Sequence, residues 1–180
     1  MFSNMYNNRL KTYKRIGYEV VNNLVSGKQS VNAIYDSGNY LEIFEQDLIE
    51  ANMQVIISSP GLSEDKVDRL IYIMRARQEA GVKVIVLTVD ADRISMGSSG
   101  THRRLLKELN DAGIHTEVRE EIEECFAVVD DELVWHGGAN LLGKEDVWDN
   151  LIRVRNPQIA AELLEIAWKT TALYTDSDTE

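Results

Sequence analysis

Two stretches of this chain share one device. "RQEAGVKVIVLTV" (77–89) and "LNDAGIHTEV" (109–118) each read as a helix end, an Ala-Gly pair and a strand. Gly81 and Gly113 supply the left-handed cap that ends a helix sharply. A strand-helix-strand repeat at this spacing constrains the fold strongly. It predicts βαβ units and a mostly parallel sheet. The run Val82 to Val89 is apolar almost throughout, as in a strand covered on both faces. The expected fold class is therefore α/β: a mixed, mostly parallel sheet of six or seven strands, flanked by helices on both faces.

The rest of the chain fits around that repeat. "VNAIYD" reads as a short strand. In "YLEIFEQDLIEA", Leu41, Phe44 and Leu48 fall on one helical face. "QVIISSPG" reads as a buried strand stopped by Pro60-Gly61. Ser63 follows as an N-cap, with Glu64 and Asp65 in the first turn, where the helix dipole favours acids. Val67, Leu70, Ile71 and Met74 continue that helix. The last third differs: "CFAVVD" and "ELVWHG" predict a hairpin, and "NLIRV" a further strand. Asn156 and Pro157 then open a helix whose core face is Ile159, Leu163 and Ala167.

The chain has 180 residues and a net charge of −11, unevenly spread. Residues 1–29 hold five basic residues and one acid, so the remainder carries −15. Residues 1–29 read as a basic helical lead-in, residues 30–172 as one domain, and residues 173–180 as a flexible acidic tail. An acidic body repels polyphosphates over most of its surface. Nucleic acid would need a local basic patch. No apolar stretch nears the roughly 20 residues of a membrane span, and the start has no secretory h-region. The single cysteine, Cys125, excludes an internal disulfide and fits a cytoplasmic location. The three histidines are scattered, with no zinc spacing.

The stretch "FAVVDDELVWHGGANLL" (126–142) resembles the second half of the HKD motif of the phospholipase D superfamily. That motif runs His, any residue, Lys, four residues, Asp, six residues, Gly, Gly or Ser, any residue, Asn. Asp130, Gly137, Gly138 and Asn140 fit it; the His position holds Glu123 and the Lys position Cys125. "NAIYDSGNYLEIFEQDLIEA", "VIISSPGLS" and "RVRNPQIAAELLEIA" also look like the phospholipase D-like modules attached to bacterial superfamily 2 helicase-like and defence-related proteins. The resemblance spans roughly residues 30–172 and implies a phospholipase D-like half domain.

In that family a His attacks phosphorus and a second His, from a second motif, protonates the leaving oxygen. Lys and Asn hold the phosphate oxygens, the Asp supports the His, and no metal or other cofactor is needed. One motif per chain implies that two chains, or two halves of a longer chain, meet to make one site, and a homodimer is expected. Here Glu123 and Cys125 remove the nucleophile and a cation, and Glu121, Glu123 and Glu124 add negative charge. The implied reading is a degenerate, non-catalytic module acting in dimerisation or nucleic-acid positioning. DNA or a helicase domain, in the same or another chain, would be its partner. One alternative is a metal-independent phosphodiesterase or nuclease using non-standard residues. Another is an interaction domain with no phosphate ligand.

Individual residues carry two readings each. Cys125 is a nucleophile or a small buried apolar residue, and acidic neighbours weaken the first. Asp130 and Asn140 bind a ligand or bond to backbone groups at a turn. His136 should lie on the opposite strand face from Trp135. A second candidate is "GSSGTHRRLL" (97–106), a Gly/Ser loop opening a helix. Arg103 and Arg104 follow it and, with Thr101, are phosphate-binding candidates beside Gly137 and Gly138, while Thr101 or Ser99 would otherwise simply cap the helix.

Overall fold

The computed structural model describes residues 19–20, 32–122, 124–144 and 149–175. In chain order the elements are β1 (Glu19–Val20), β2 (Ala33–Asp36), α1 (Leu41–Glu50), β3 (Gln54–Ser58), α2 (Glu64–Glu79) and β4 (Lys83–Val89). There follow a short 3-10 turn (Ala91–Arg93), α3 (Met96–Asp111), β5 (His115–Arg119), β6 (Phe126–Val129), β7 (Leu133–Gly137), β8 (Asn150–Arg155) and α4 (Pro157–Thr175).

Both glycine devices form. The Val82 amide donates to the Arg77 carbonyl and the Gly81 amide to Gln78, each at 3.0 Å. Ile114 and Gly113 repeat the pattern onto Leu109 and Asn110. These are Schellman caps, with Gly81 at φ 93° and Gly113 at φ 82°. At α4 the Asn156 carboxamide oxygen accepts from the Gln158 and Ile159 amides at 3.0 and 3.2 Å.

The strands form one sheet in the order β1-β2-β8-β7-β6-β3-β4-β5. The pairs β1–β2, β3–β4 and β4–β5 are parallel; β2–β8, β8–β7, β7–β6 and β6–β3 are antiparallel. The expected "mostly parallel" sheet is thus corrected. Helical crossovers make β3, β4 and β5 parallel, but the tight β6–β7 turn forces an antiparallel hairpin. That hairpin enters beside β3. The lead-in is corrected in part as well. Glu19–Val20 form a strand paired with Ala33–Ile34, not helix; the rest of residues 1–29 and the tail from 176 lie outside the described residues.

Helices flank both faces. One core joins α1, α2 and α3 to the sheet around Phe44, Leu70, Leu105 and Trp135. The other joins α4, through Ala160 and Leu163, to Ile56, Leu87, Phe126 and Val134. Ile159 departs from the expected core face and is exposed, because Ala160 and Leu163 set the buried stripe.

Trp135 is fully buried, with Tyr35 and Phe44 ring centroids 5.1 and 5.6 Å away. Its indole N–H donates to Asp47 Oδ2 at 2.7 Å. Arg153 reaches the same carboxylate with two groups, Nε to Oδ2 at 2.8 Å and Nη2 to Oδ1 at 2.7 Å. Burial disfavours the Arg153 charge, but hydrogen bonds and attraction from Asp47 outweigh it and raise the pKa.

Candidate functional site

The C-terminal ends of β3, β4 and β7 share one end of the sheet with the N-terminal ends of β6 and β8, as the strand senses require. Most of the motif lies there. Cys125 immediately precedes β6, and Gly137 closes β7. Gly137 is demanded by crowding: a Cβ there would sit 2.1 Å from the Asn150 carbonyl oxygen. The Gly138 amide donates to that same carbonyl at 3.0 Å. A Cβ on Gly138 would meet the Asp149 carboxylate at 3.1 Å.

Asn140 is held by its own loop and by the end of β3. Its Oδ1 accepts the Gly143 amide at 3.1 Å and contacts the Ser59 hydroxyl. Ser59 Oγ accepts the Leu142 amide at 3.1 Å and lies 3.0 Å from the Gly61 carbonyl. Gly143 leaves room for this arrangement, since a Cβ there would sit 2.3 Å from Asn140 Nδ2. The Asn140 carboxamide oxygen therefore works on backbone and on Ser59.

Cys125 is half-buried. Burial pushes its thiol pKa up, and the Asp149 and Glu124 carboxylates push it further. The thiol form dominates at neutral pH, as in the weak-nucleophile reading. Glu123 lies outside the described residues. His136 is opposite Phe126 in the β6–β7 ladder, so it points to the α4 face. There its Nε2 lies 2.7 Å from Glu124 Oε2. The pair is half-exposed and on the opposite sheet face from Trp135, as alternation requires.

Asp130 is elsewhere. It lies five residues beyond Cys125, about 16 Å along an extended strand. With Asp131 it forms the turn between β6 and β7, at φ 52° and 58°. Its carboxylate accepts the backbone amides of Asn52 at 2.9 Å, Met53 at 2.7 Å and Gln54 at 3.1 Å. This satisfies a concave row of donors at the start of β3. Asp130 thus anchors the hairpin and does not reach Cys125.

The second candidate needs correction. α3 starts at Met96 with Ser95 as N-cap, so Ser99 and Thr101 are inside the helix and neither caps it. Gly97 and Gly100, poor helix formers, disguised that start. Arg103 pairs with Asp92 at 2.9 Å, and Arg104 with Glu64 at 2.9 Å and Glu108 at 2.7 Å. Neighbouring carboxylates therefore balance both cations. Beside them a cleft of about 530 Å³ opens between the starts of α2 and α3, lined by Ser63, Lys66, Ser98, Thr101, Gly143 and Lys144. Glu64 and Asp65 also line it, so its charge is mixed.

Sequence reasoning missed Ser59, Asp149 and His102 as parts of this end of the sheet. Ser59 had a signal, the Ser-Ser-Pro that stops an apolar strand; Asp149 had none. Among the described residues no three His, Cys, Asp or Glu side chains form a metal-binding group. No helix among them is long and apolar enough to cross a membrane.

No protein-family model matches the chain, and no curated protein matches it in sequence. Solved structures do match in fold. Nuc from Salmonella typhimurium, a phospholipase D family member, is 14% identical with a TM-score of 0.61, over 78% of this chain and 92% of that one. NucT from Helicobacter pylori is 13% identical, TM-score 0.53, over 78% of this chain and 95% of that one. TrmBL2, an archaeal chromatin protein, is 10% identical, TM-score 0.55, over 97% of this chain and 60% of that one. Together with the mixed α/β sheet, these matches give the chain a phospholipase D-like fold.

Proposed function

We propose that the chain is a non-catalytic phospholipase D-like module of the cytoplasm, acting in dimerisation or nucleic-acid positioning within a helicase- or defence-type system. One observation carries this reading. Where the resembling motif places a lysine, Cys125 offers a half-buried thiol whose pKa is raised by burial, Asp149 and Glu124. A phosphodiester brought there meets carboxylates where a cation is needed, the reverse of what stabilises charge on transferring phosphorus. The engaged oxygen of Asn140 supports the same reading. The likeness to TrmBL2, whose structure is described as showing a novel mode of DNA binding, favours nucleic acid as partner.

The test is an assay of DNA and a chromogenic diester with EDTA present, beside light scattering and DNA binding at several salt concentrations. The expected results are no turnover, a dimer mass, and an affinity that falls as salt rises, because phosphate contacts release counterions. Turnover abolished by Glu123→Ala would overturn the proposal and establish a phosphodiesterase instead. A monomer with salt-independent or absent DNA binding would leave a plain interaction domain.

A further inference from the structure

His102 is buried within α3, at 1% exposure, yet both of its ring nitrogens bond to backbone. The Leu62 amide donates to Nδ1 at 3.2 Å, and Nε2 lies 2.9 Å from the Val89 carbonyl. These partners fix the tautomer. An amide N–H can only donate and a carbonyl can only accept, so Nδ1 carries the lone pair and Nε2 the hydrogen. One neutral imidazole thereby ties α3 to the end of β4 and to the loop after β3.

That loop shapes the motif end of the sheet. Its first half has other ties: the Ser59 amide donates to Leu87 and the Thr88 hydroxyl to the Pro60 carbonyl. Ser63 is tied to Leu142 by its amide at 2.8 Å. Between these anchors, the Leu62 amide is held by His102. Leu62 and Ser63 line the cleft, and Gly61 packs against Asn140.

We propose that His102 is a proton-sensitive latch on the Gly61–Leu62 segment. A proton added at Nδ1 takes the lone pair that accepts the Leu62 amide, and sets a donor against a donor. Imidazole is the side chain whose ordinary titration falls between pH 5 and 8. The Val89 bond survives protonation, so the imidazolium stays attached to β4 while Leu62 is released. Charged groups on the surrounding elements include Glu64, paired with Arg104 from α3, and Asp92, paired with Arg103; Asp65, Lys66 and Lys144 line the cleft beside Leu62. Asp90, next to Val89, accepts the Asp92 amide. Both pairs set a cation of α3 against a carboxylate on a neighbouring element. The inference is independent of whether the module is catalytic.

The experiment is amide hydrogen exchange on the full chain at pH 7.5 and 5.0, expressed as protection factors, for wild type and His102→Gln. Gln offers one acceptor and one donor and does not titrate in this range. Leu62 protection should fall about tenfold in wild type, the factor one lost hydrogen bond carries, while Ser59 protection holds. His102→Gln should show no such fall. An equal fall in the variant, a fall at Ser59 as large as at Leu62, or no fall in wild type overturns the latch. Should the variant lose Leu62 protection already at pH 7.5, NMR titration of the wild-type imidazole decides. A His102 midpoint coinciding with Leu62 release supports the latch. Release while His102 stays neutral, or protonation without release, overturns it.

Discussion

Asp47 and Arg153 meet in a two-pronged ion pair at 2.7 and 2.8 Å, both side chains almost wholly buried. The pair ties α1 to β8, and the indole of Trp135 shares the carboxylate. Removing one partner leaves the other charged and buried, which costs about 3–5 kcal/mol. Asp47→Ala should therefore lower the unfolding free energy by that amount in urea titrations, a large part of the about 5–15 kcal/mol typical of a domain. Replacing both residues with apolar ones of similar volume should recover most of the loss. A single variant within about 1 kcal/mol of wild type would show that the pair does not hold the fold.

Asp130 offers a sharper contrast between structural and chemical roles. Its carboxylate serves the amides of Asn52, Met53 and Gln54 at the end of the sheet away from Cys125. Asp130→Ala removes these acceptors and leaves a Cβ at positive φ. The expected destabilisation is about 2–4 kcal/mol, with Asp130→Asn losing less. If the proposed dimerisation and DNA binding hold, the light-scattering mass and DNA affinity of the folded variants should match wild type. A variant of unchanged stability but altered binding would return Asp130 to a ligand role.

These two residues show what was legible. The Asp at a strand end pointed to turn chemistry, and the turn is there, because local backbone geometry is a local signal. The βαβ block was legible for the same reason: Gly81 and Gly113 end helices through contacts within six residues. The β6–β7 hairpin was legible too, but not its place beside β3. That place depends on Val55 meeting Val129 across 74 residues of chain, which no periodicity records. Nor does any local pattern join Asp47 to Arg153, which lie 106 residues apart in the chain. The site was half legible: spacing located Gly137, Gly138 and Asn140. The Ser59 hydroxyl on Asn140 and the Asp149 charge near Cys125 arise only when distant loops meet.

Gly137 can be tested against glycines that have room. Gly137→Ala drives a methyl group to 2.1 Å from the Asn150 carbonyl and must part β7 from β8. The expected cost is about 1–3 kcal/mol or more, as for overpacking. At Gly97 and Gly100, within α3, an added methyl group would meet nothing within 4 Å. Changing either to Ala should stabilise by about 0.5–1 kcal/mol through helix propensity. Thermal melts of the three variants check the order. A Gly137→Ala melting point equal to wild type would contradict the close approach.

Cys125 gives a pH prediction with a definite sign. Burial, then Asp149 and Glu124, hold its folded-state pKa above the ordinary thiol value. The thiolate is the form that alkylates, so iodoacetamide should modify folded wild type at pH 7.5 several-fold more slowly than a model thiol. Asp149→Asn removes one of the two nearby charges and should speed the reaction, without reaching the model rate, because burial is the larger cause. Linkage runs the same way. Above the unfolded thiol value of about 8.5 the unfolded chain has lost a proton that the folded chain keeps. The contribution to stability is therefore complete below that pH and is lost as pH rises through the folded value. Cys125→Ser should flatten the alkaline fall in urea midpoint. Alkylation as fast as the model thiol at pH 7.5 would contradict the raised pKa, and alkylation faster than it would identify an activated thiolate and reopen a nucleophilic role for Cys125.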